Sequence, residues 1–217
     1  MREQAVERLV SIDAAPVTEA LIRGLLERSR AVLDGHFALH RDRHAGNALR
    51  FRGIGRDPEL LASVLDAIDA RLPAAVRAAL QNAKILAPES AGFFLGRGLA
   101  TRHGLPLVVA QTNLRRLPTR TLLSGALEPN DRVVLVNDVA TTGASLDVLR
   151  ELVAERGALT VGAVLFGVVG DVAFRAYCDR LQLPAHWLVT AHWRTWASAG
   201  CPKCLAHEPL VPVAELV

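Results

Sequence analysis

The hydrophobic and polar positions follow two alternating periods along most of the chain. Short runs of Val, Leu, Ile and Ala predict strands at 83–87, 105–110, 132–136, 159–169 and 187–190. These runs are apolar throughout, as strands covered by helices on both faces are. Between them the apolar residues recur at helical spacing. Leu60, Leu61, Val64, Leu65, Ile68 and Leu72 follow Asp57-Pro58, a helix start with Pro in the first turn. Leu146, Leu149, Leu152 and Val153 mark one face of a second helix. Residues 89–103 predict a loop and a helix, and 171–181 a further helix. Residues 3–34 read as helical with an interruption near Pro16, their stripe made by Leu21, Leu25, Leu26, Val32 and Leu33. The stretch 35–51, GHFALHRDRHAGNALRF, predicts two short strands in an irregular setting dense in His and Arg. Residues 111–127 read as a polar, Arg-rich loop, long enough for a functional lid. Strand alternating with helix predicts an α/β fold, a parallel sheet flanked by helices on both faces.

At 217 residues the chain is one domain of ordinary size with a large core. A net charge of only +3 gives no basic stripe for nucleic acid. The charged N-terminus has no signal-peptide pattern, and no apolar run reaches membrane-spanning length. Three cysteines in such a chain suit a reducing, cytoplasmic setting. Of the 25 basic residues only Lys84 and Lys203 are lysines, so positive charge here is nearly all guanidinium.

The most informative stretch is 131–145, DRVVLVNDVATTGAS. A buried strand runs into Asn137 and Asp138, then into Thr141, Thr142, Gly143, Ala144 and Ser145 where a helix begins. A helix N-terminus offers free backbone N–H groups and a dipole that favours an anion. Gly143 and Ala144 allow close backbone approach, and the three hydroxyls can donate to phosphate oxygens. Asp138 can accept from sugar hydroxyls or help hold a cation.

This stretch resembles the phosphoribosyl-pyrophosphate motif of type I phosphoribosyltransferases. The order GHFALHRDRH, DPELL, ILAPESAGFFLGRGLA, the motif itself and CPKCLAHEPL looks like the orotate phosphoribosyltransferase family, in particular a bacterial branch with a C-terminal C-P-x-C segment. The resemblance covers roughly residues 25–210. It implies N-terminal helices and a hood hairpin at 1–55, a core at 56–195 and a C-x-x-C tail at 196–217. It also implies a homodimer, Mg²⁺ bound through the substrate at Asp138, and a pyrophosphate loop at Glu89, Ser90, Ala91 and Gly92. Glu89 adds nothing to anion binding and can instead hold water or Mg²⁺.

Several positions depart from that family. Asn137 replaces its first acidic residue. Val169-Gly170 stands where the orotate enzymes carry an Asp-Arg pair that meets the orotate carboxylate. His40 stands near the family's hood lysine, and Ala48 and Leu49 replace aromatics. Gln111 and Thr112 replace two basic residues, and Arg115, Arg116 and Arg120 stand in for the loop lysine. Guanidinium binds phosphate bidentately and is a poor proton donor, so these arginines are expected to clamp charge, unless they form a solvated surface loop. His40, Arg41, Arg43, His44 and Arg50 make a second basic cluster. It is either a base-side wall, with His40 and Arg43 as contacts, or a solvated hairpin edge.

Cys201-Pro-Lys-Cys204 has ligand spacing for half a zinc site, which His207 and His192 can complete. The alternatives are two thiols packed in a tail, or a redox pair; Cys178 is the remaining thiol. The resulting expectation is an enzyme that transfers phosphoribose from phosphoribosyl pyrophosphate to a small heterocyclic base other than orotate. The alternative is a protein of the same fold that binds phosphoribosyl pyrophosphate or a nucleotide as a regulator.

Overall fold

The apolar runs pair side by side, as burial on two faces requires. The computed structural model describes residues 9–12, 16–39, 42–114 and 117–213. In chain order the elements are β1 (Val10–Ile12), α1 (Pro16–Arg28), β2 (Val32–Ala38), β3 (Arg43–Leu49), α2 (Arg52–Gly55), α3 (Pro58–Arg71) and α4 (Ala74–Leu80). Then come β4 (Lys84–Pro88), α5 (Ala91–His103), β5 (Leu107–Thr112), β6 (Pro118–Ser124), β7 (Arg132–Ala140) and α6 (Ala144–Glu155). The chain finishes with β8 (Leu159–Val169), α7 (Asp171–Leu181), β9 (Ala185–Ala191), β10 (Thr195–Ala197), α8 (Pro202–Leu205) and β11 (Val211–Pro212).

A seven-stranded sheet has the order β1-β9-β8-β7-β4-β5-β6. Its inner strands are parallel, and β1 and β6 close the two edges antiparallel. Side chains alternate across it. Val134 and Val136 of β7 and Val164 and Phe166 of β8 join the layer built by α1, α3 and α5. Val133, Leu135, Ala163 and Leu165 join the layer under α6 and α7. A smaller sheet, β10-β3-β2-β11, forms the hood, so the hairpin is completed by two strands from the C-terminal segment. Among the described residues no helix is long and apolar enough to cross a membrane.

Two expectations are corrected. Residues 10–12 and 32–34 are strands, not helix: Val10 and Ile12 are buried on either side of exposed Ser11, a period of two that fits the edge against β9. Residues 111–127 are largely a β-hairpin arm. Pro118 opens β6, where an edge strand tolerates the missing N–H, and the polar alternation of Thr119 to Ser124 suits a strand with a solvated face.

Helix α3 starts where its sequence says it should. Asp57 Oδ1 accepts from the backbone N–H of Glu59 at 3.0 Å and of Leu60 at 3.1 Å, with Pro58 in the first turn. Asp57→Ala should lower stability by about 1 kcal/mol and Asp57→Ser by much less. Urea unfolding of the two variants beside the parent checks this; equal losses would mean that the cap contributes nothing.

Candidate active site

From β4 the chain continues outward to β5 and β6, and from β7 it continues the other way to β8 and β9. A crevice opens at the carboxyl ends of strands that part like this. A cleft of about 730 Å³ lies there. Its floor is the unbroken stretch 137–146, its rim includes Pro88, Ser90, Ala91 and Val169, and its far wall is the hood segment from Asn47 to Arg52. Leu114, Leu117 and Pro118 at the tip of the β5–β6 arm complete one side.

The floor is shaped for an anion. Gly143 has φ +85°, and a Cβ there would sit 2.7 Å from Cγ of the Tyr177 ring, so both conformation and space demand glycine. Gly143 is also the N-cap of α6, and no side chain caps that helix. The first-turn N–H groups thus face the cleft with no competing side-chain acceptor. On the opposite rim Gly92 lies beneath the surface. A Cβ on it would come within 2.7 Å of Asn137 Oδ1, so the loop after β4 and the end of β7 touch only because this residue is glycine.

Asn137 is buried, and its Oδ1 accepts from the backbone N–H of Asp138 at 3.0 Å. Asp138 is partly buried. Burial pushes its carboxyl up to about 6, and bonds from the backbone N–H groups of Val139 and Asp138 only partly offset this. Among the described residues no lysine or arginine pairs with it. A hard oxygen donor in this state fits a divalent cation or sugar hydroxyls.

The structure brings Asn137, Asp138, Thr141, Thr142, Gly143, Ala144, Ser145, Ser90 and Ala91 together. Others lie elsewhere. Glu89 turns to a neighbouring hollow lined by Arg52 and Phe93, and its Oε1 accepts from Thr112 Oγ1 at 3.2 Å. Arg43 is outside the cleft because its guanidinium donates to the Thr195 carbonyl at 2.9 Å and to the Thr195 hydroxyl. Arg120 is drawn to α6 by Glu155 at 2.7 Å and Glu151 at 3.7 Å. His192 bonds Ser11 Oγ at 2.8 Å, and His207 is exposed at φ +55°. His40, Arg115 and Arg116 lie outside the described residues. Cys178 is a buried thiol that burial pushes up to about 11, an inert core group.

Two further residues at the cleft carry buried donors. Trp193 is buried beside the cleft, and its Nε1 has no hydrogen-bond partner among the described residues. The same holds for Nε of Arg50, which follows β3. Arg50 belongs to the basic cluster that the sequence marks on the hood hairpin, whereas Trp193 sits in no periodic pattern and carries no such signal.

The model of the phosphoribosyl transferase domain matches residues 61–172, just over half the chain. The chain therefore belongs to the phosphoribosyltransferase family, a class of pentosyltransferases. It is 27% identical over 199 residues to the orotate phosphoribosyltransferase of Erythrobacter litoralis, covering 89% of this chain and 96% of that protein. It is 28% identical over 179 residues to the enzyme of the same name from Novosphingobium aromaticivorans, covering 82% and 87%. The fold is similar to that of orotate phosphoribosyltransferase from Aeropyrum pernix, with a TM-score of 0.61, 21% identity and coverage of 77% and 90%. It is also similar to adenine phosphoribosyltransferase from Thermoanaerobacter pseudethanolicus, with a TM-score of 0.52, 20% identity and coverage of 66% and 88%.

The raised carboxyl of Asp138 makes its ionisation a cost to folding. Below the unfolded value near 4 both states are protonated and the cost is absent; it grows as pH rises to about 6 and is constant above that. Asp138→Asn should therefore stabilise the fold at pH 7.5 by roughly 1–3 kcal/mol and have little effect at pH 4. Urea midpoints at the two pH values test this, and a variant destabilised at pH 7.5 would contradict it.

Proposed function

We propose that the chain transfers phosphoribose from phosphoribosyl pyrophosphate to a nitrogen heterocycle and releases pyrophosphate. The observation that carries this is the unbroken cleft floor, 137–146, where an uncapped helix N-terminus adjoins a carboxylate with no cationic partner among the described residues. The 5-phosphate sits on the N–H groups and hydroxyls of 141–145. The ribose hydroxyls meet Asp138 and the Asn137 amide, whose nitrogen remains free to donate while its oxygen is held by the backbone. The diphosphate lies toward Ser90 and Ala91. Asp138 would help hold Mg²⁺, which would supply positive charge for the leaving diphosphate and lower the carboxyl's proton affinity. The base nitrogen attacks C1, and the C1–O bond to pyrophosphate breaks. Positioning and charge stabilisation carry such a step more than a strong base does.

Arg115 and Arg116, which lie between β5 and β6 in the sequence, are the candidate clamps for the leaving diphosphate. The working assembly in this reading is a homodimer, as the resemblance to the orotate enzymes implies.

The base faces Ala48, Leu49, Phe51, Val169 and Trp193. No cation stands at the end of β8: Gly170 opens to empty space, and the first cationic residue beyond it, Arg175, is held by Asp171 at 2.8 Å. A carboxylate desolvated without a partner costs several kcal/mol, so a base other than orotate fits this corner best. Arg50 favours a second reading, because its unpartnered Nε can receive an orotate carboxylate from the hood side.

Thr142→Glu should abolish binding of phosphoribosyl pyrophosphate in calorimetry, through clash and like charge; unchanged affinity would sink the assignment of the loop. Mixing the protein with Mg²⁺, phosphoribosyl pyrophosphate and a panel of bases should give pyrophosphate release with a base other than orotate. Orotate turnover on the order of 1 per second or faster, lost in Arg50→Met, would establish the second reading instead.

A further inference from the structure

Outside the cleft, four metal-ligating side chains meet where the hood joins the C-terminal segment. His36 and His44 come from the β2–β3 hairpin. His44 pairs with Ala38, two residues beyond His36, and a register shift between Asp34 and Phe37 accompanies their approach. Cys201 and Cys204 come from the tight turn around α8, where Leu205 N–H donates to the Cys201 carbonyl at 3.2 Å and His207 N–H to the Cys204 carbonyl at 3.0 Å. His36, His44 and Cys201 are buried, and Cys204 is half-buried.

Four of the six spacings among their ligand atoms lie close to those of a tetrahedral zinc site. Zinc bonds of ordinary length set corner spacings of about 3.3 Å between two nitrogens and about 3.5 Å between nitrogen and sulfur. His36 Nε2 lies 3.1 Å from His44 Nδ1 and 3.4 Å from Cys201 Sγ. Cys204 Sγ lies 3.7 Å from His36 Nε2 and 3.2 Å from His44 Nδ1. All four atoms fall within 4.8 Å of one another.

Hydrogen bonding alone does not account for this packing. His36 Nδ1 lies 3.0 Å from the Glu208 carbonyl, to which it must donate. In the neutral ring Nε2 is then a bare lone pair, yet His44 Nδ1 and both sulfurs crowd it. One lone pair cannot accept from three donors, but a cation at the centre takes a lone pair from each of the four atoms. The Glu208 carbonyl then plays the usual orienting part behind a ligating imidazole.

We propose that His36 Nε2, His44 Nδ1, Cys201 Sγ and Cys204 Sγ form a closed structural zinc site. On binding, the two thiols release their protons to solvent, and the two thiolates balance the charge of Zn²⁺, so the buried site is neutral. The set differs from the one that spacing alone suggests, since His192 and His207 take no part. The ion fastens the hood hairpin to the segment leading into β11. Ala38 and Leu39 on one side and Pro212 and Val213 on the other line the cleft, so the zinc holds the base-side wall together without touching substrate.

The test uses the full chain, purified without a histidine tag under reducing conditions. Elemental analysis should find about one zinc per chain. After removal of zinc, Co²⁺ should restore an intense tetrahedral ligand-field spectrum with a thiolate charge-transfer band. Cys204→Ser and His44→Ala should each lower bound metal at least about fivefold, whereas His207→Ala and His192→Ala should retain it. If the first two variants fail to fold, the cobalt spectrum of the parent chain decides. Reduced parent protein that takes up neither metal, a Co²⁺ spectrum without thiolate character, or metal lost with His207 rather than His44 would overturn the site.

Discussion

The molecule is organised around a strand that is apolar on both faces and yet must end in polar residues. Val133 to Val136 of β7 are buried on both sides of the sheet. The next two residues, Asn137 and Asp138, emerge at the point where neighbouring connections part. Asp138 cannot retreat into the core and is not well solvated either, and its raised proton affinity measures that compromise. A protein selected for stability alone would not place a carboxylate there. The glycines on either side follow from the same constraint. Gly92 lets the rim of the β4 loop close on Asn137, and Gly143 lets the helix begin against Tyr177.

Much of this was legible in the sequence because it is local. The β7–α6 motif is a strand, a turn and a helix N-terminus read in order. Helix α3 announces itself by Asp57-Pro58, and β8 and α7 fall where their periodicity puts them. What was less legible depends on partners far away in the chain. β1 is a strand because β9 offers it an edge, and β6 because β5 does; each alone is a short or polar segment that periodicity cannot separate from helix or loop. The zinc ligands show the same limit. Cys201 and Cys204 declare themselves by spacing, but the histidines that meet them are 165 and 160 residues away, on a hairpin whose register nothing local specifies. His207 and His192 were nearer in sequence and wrong in space. Arg120 was misjudged for a related reason: a basic residue on an arm is read as free until a neighbouring helix presents Glu155.

The phosphate half and the base half of the cleft have different characters. The first is backbone, hydroxyl and glycine, and it tolerates little change. The second is built from Ala48, Leu49, Phe51, Val169 and Trp193, apolar surface with two donors at its margin that have no partner among the described residues. In the proposed reading shape and a few donors select the heterocycle there, and such a wall can be altered one side chain at a time without disturbing the cleft floor.

The hood sheet takes its middle strands from residues 32–49 and its outer strands from residues 195–212. A ribosome delivers these pieces well apart in time, since domains begin folding from the N-terminus at about 5–20 residues per second. The sheet strands β4 to β8, with the phosphate loop, are complete before the hood's outer strands exist. β1 likewise waits for β9 before its edge can close. During synthesis the chain thus passes through a stage in which the strands that carry the cleft floor exist but the hood facing them lacks its two outer strands.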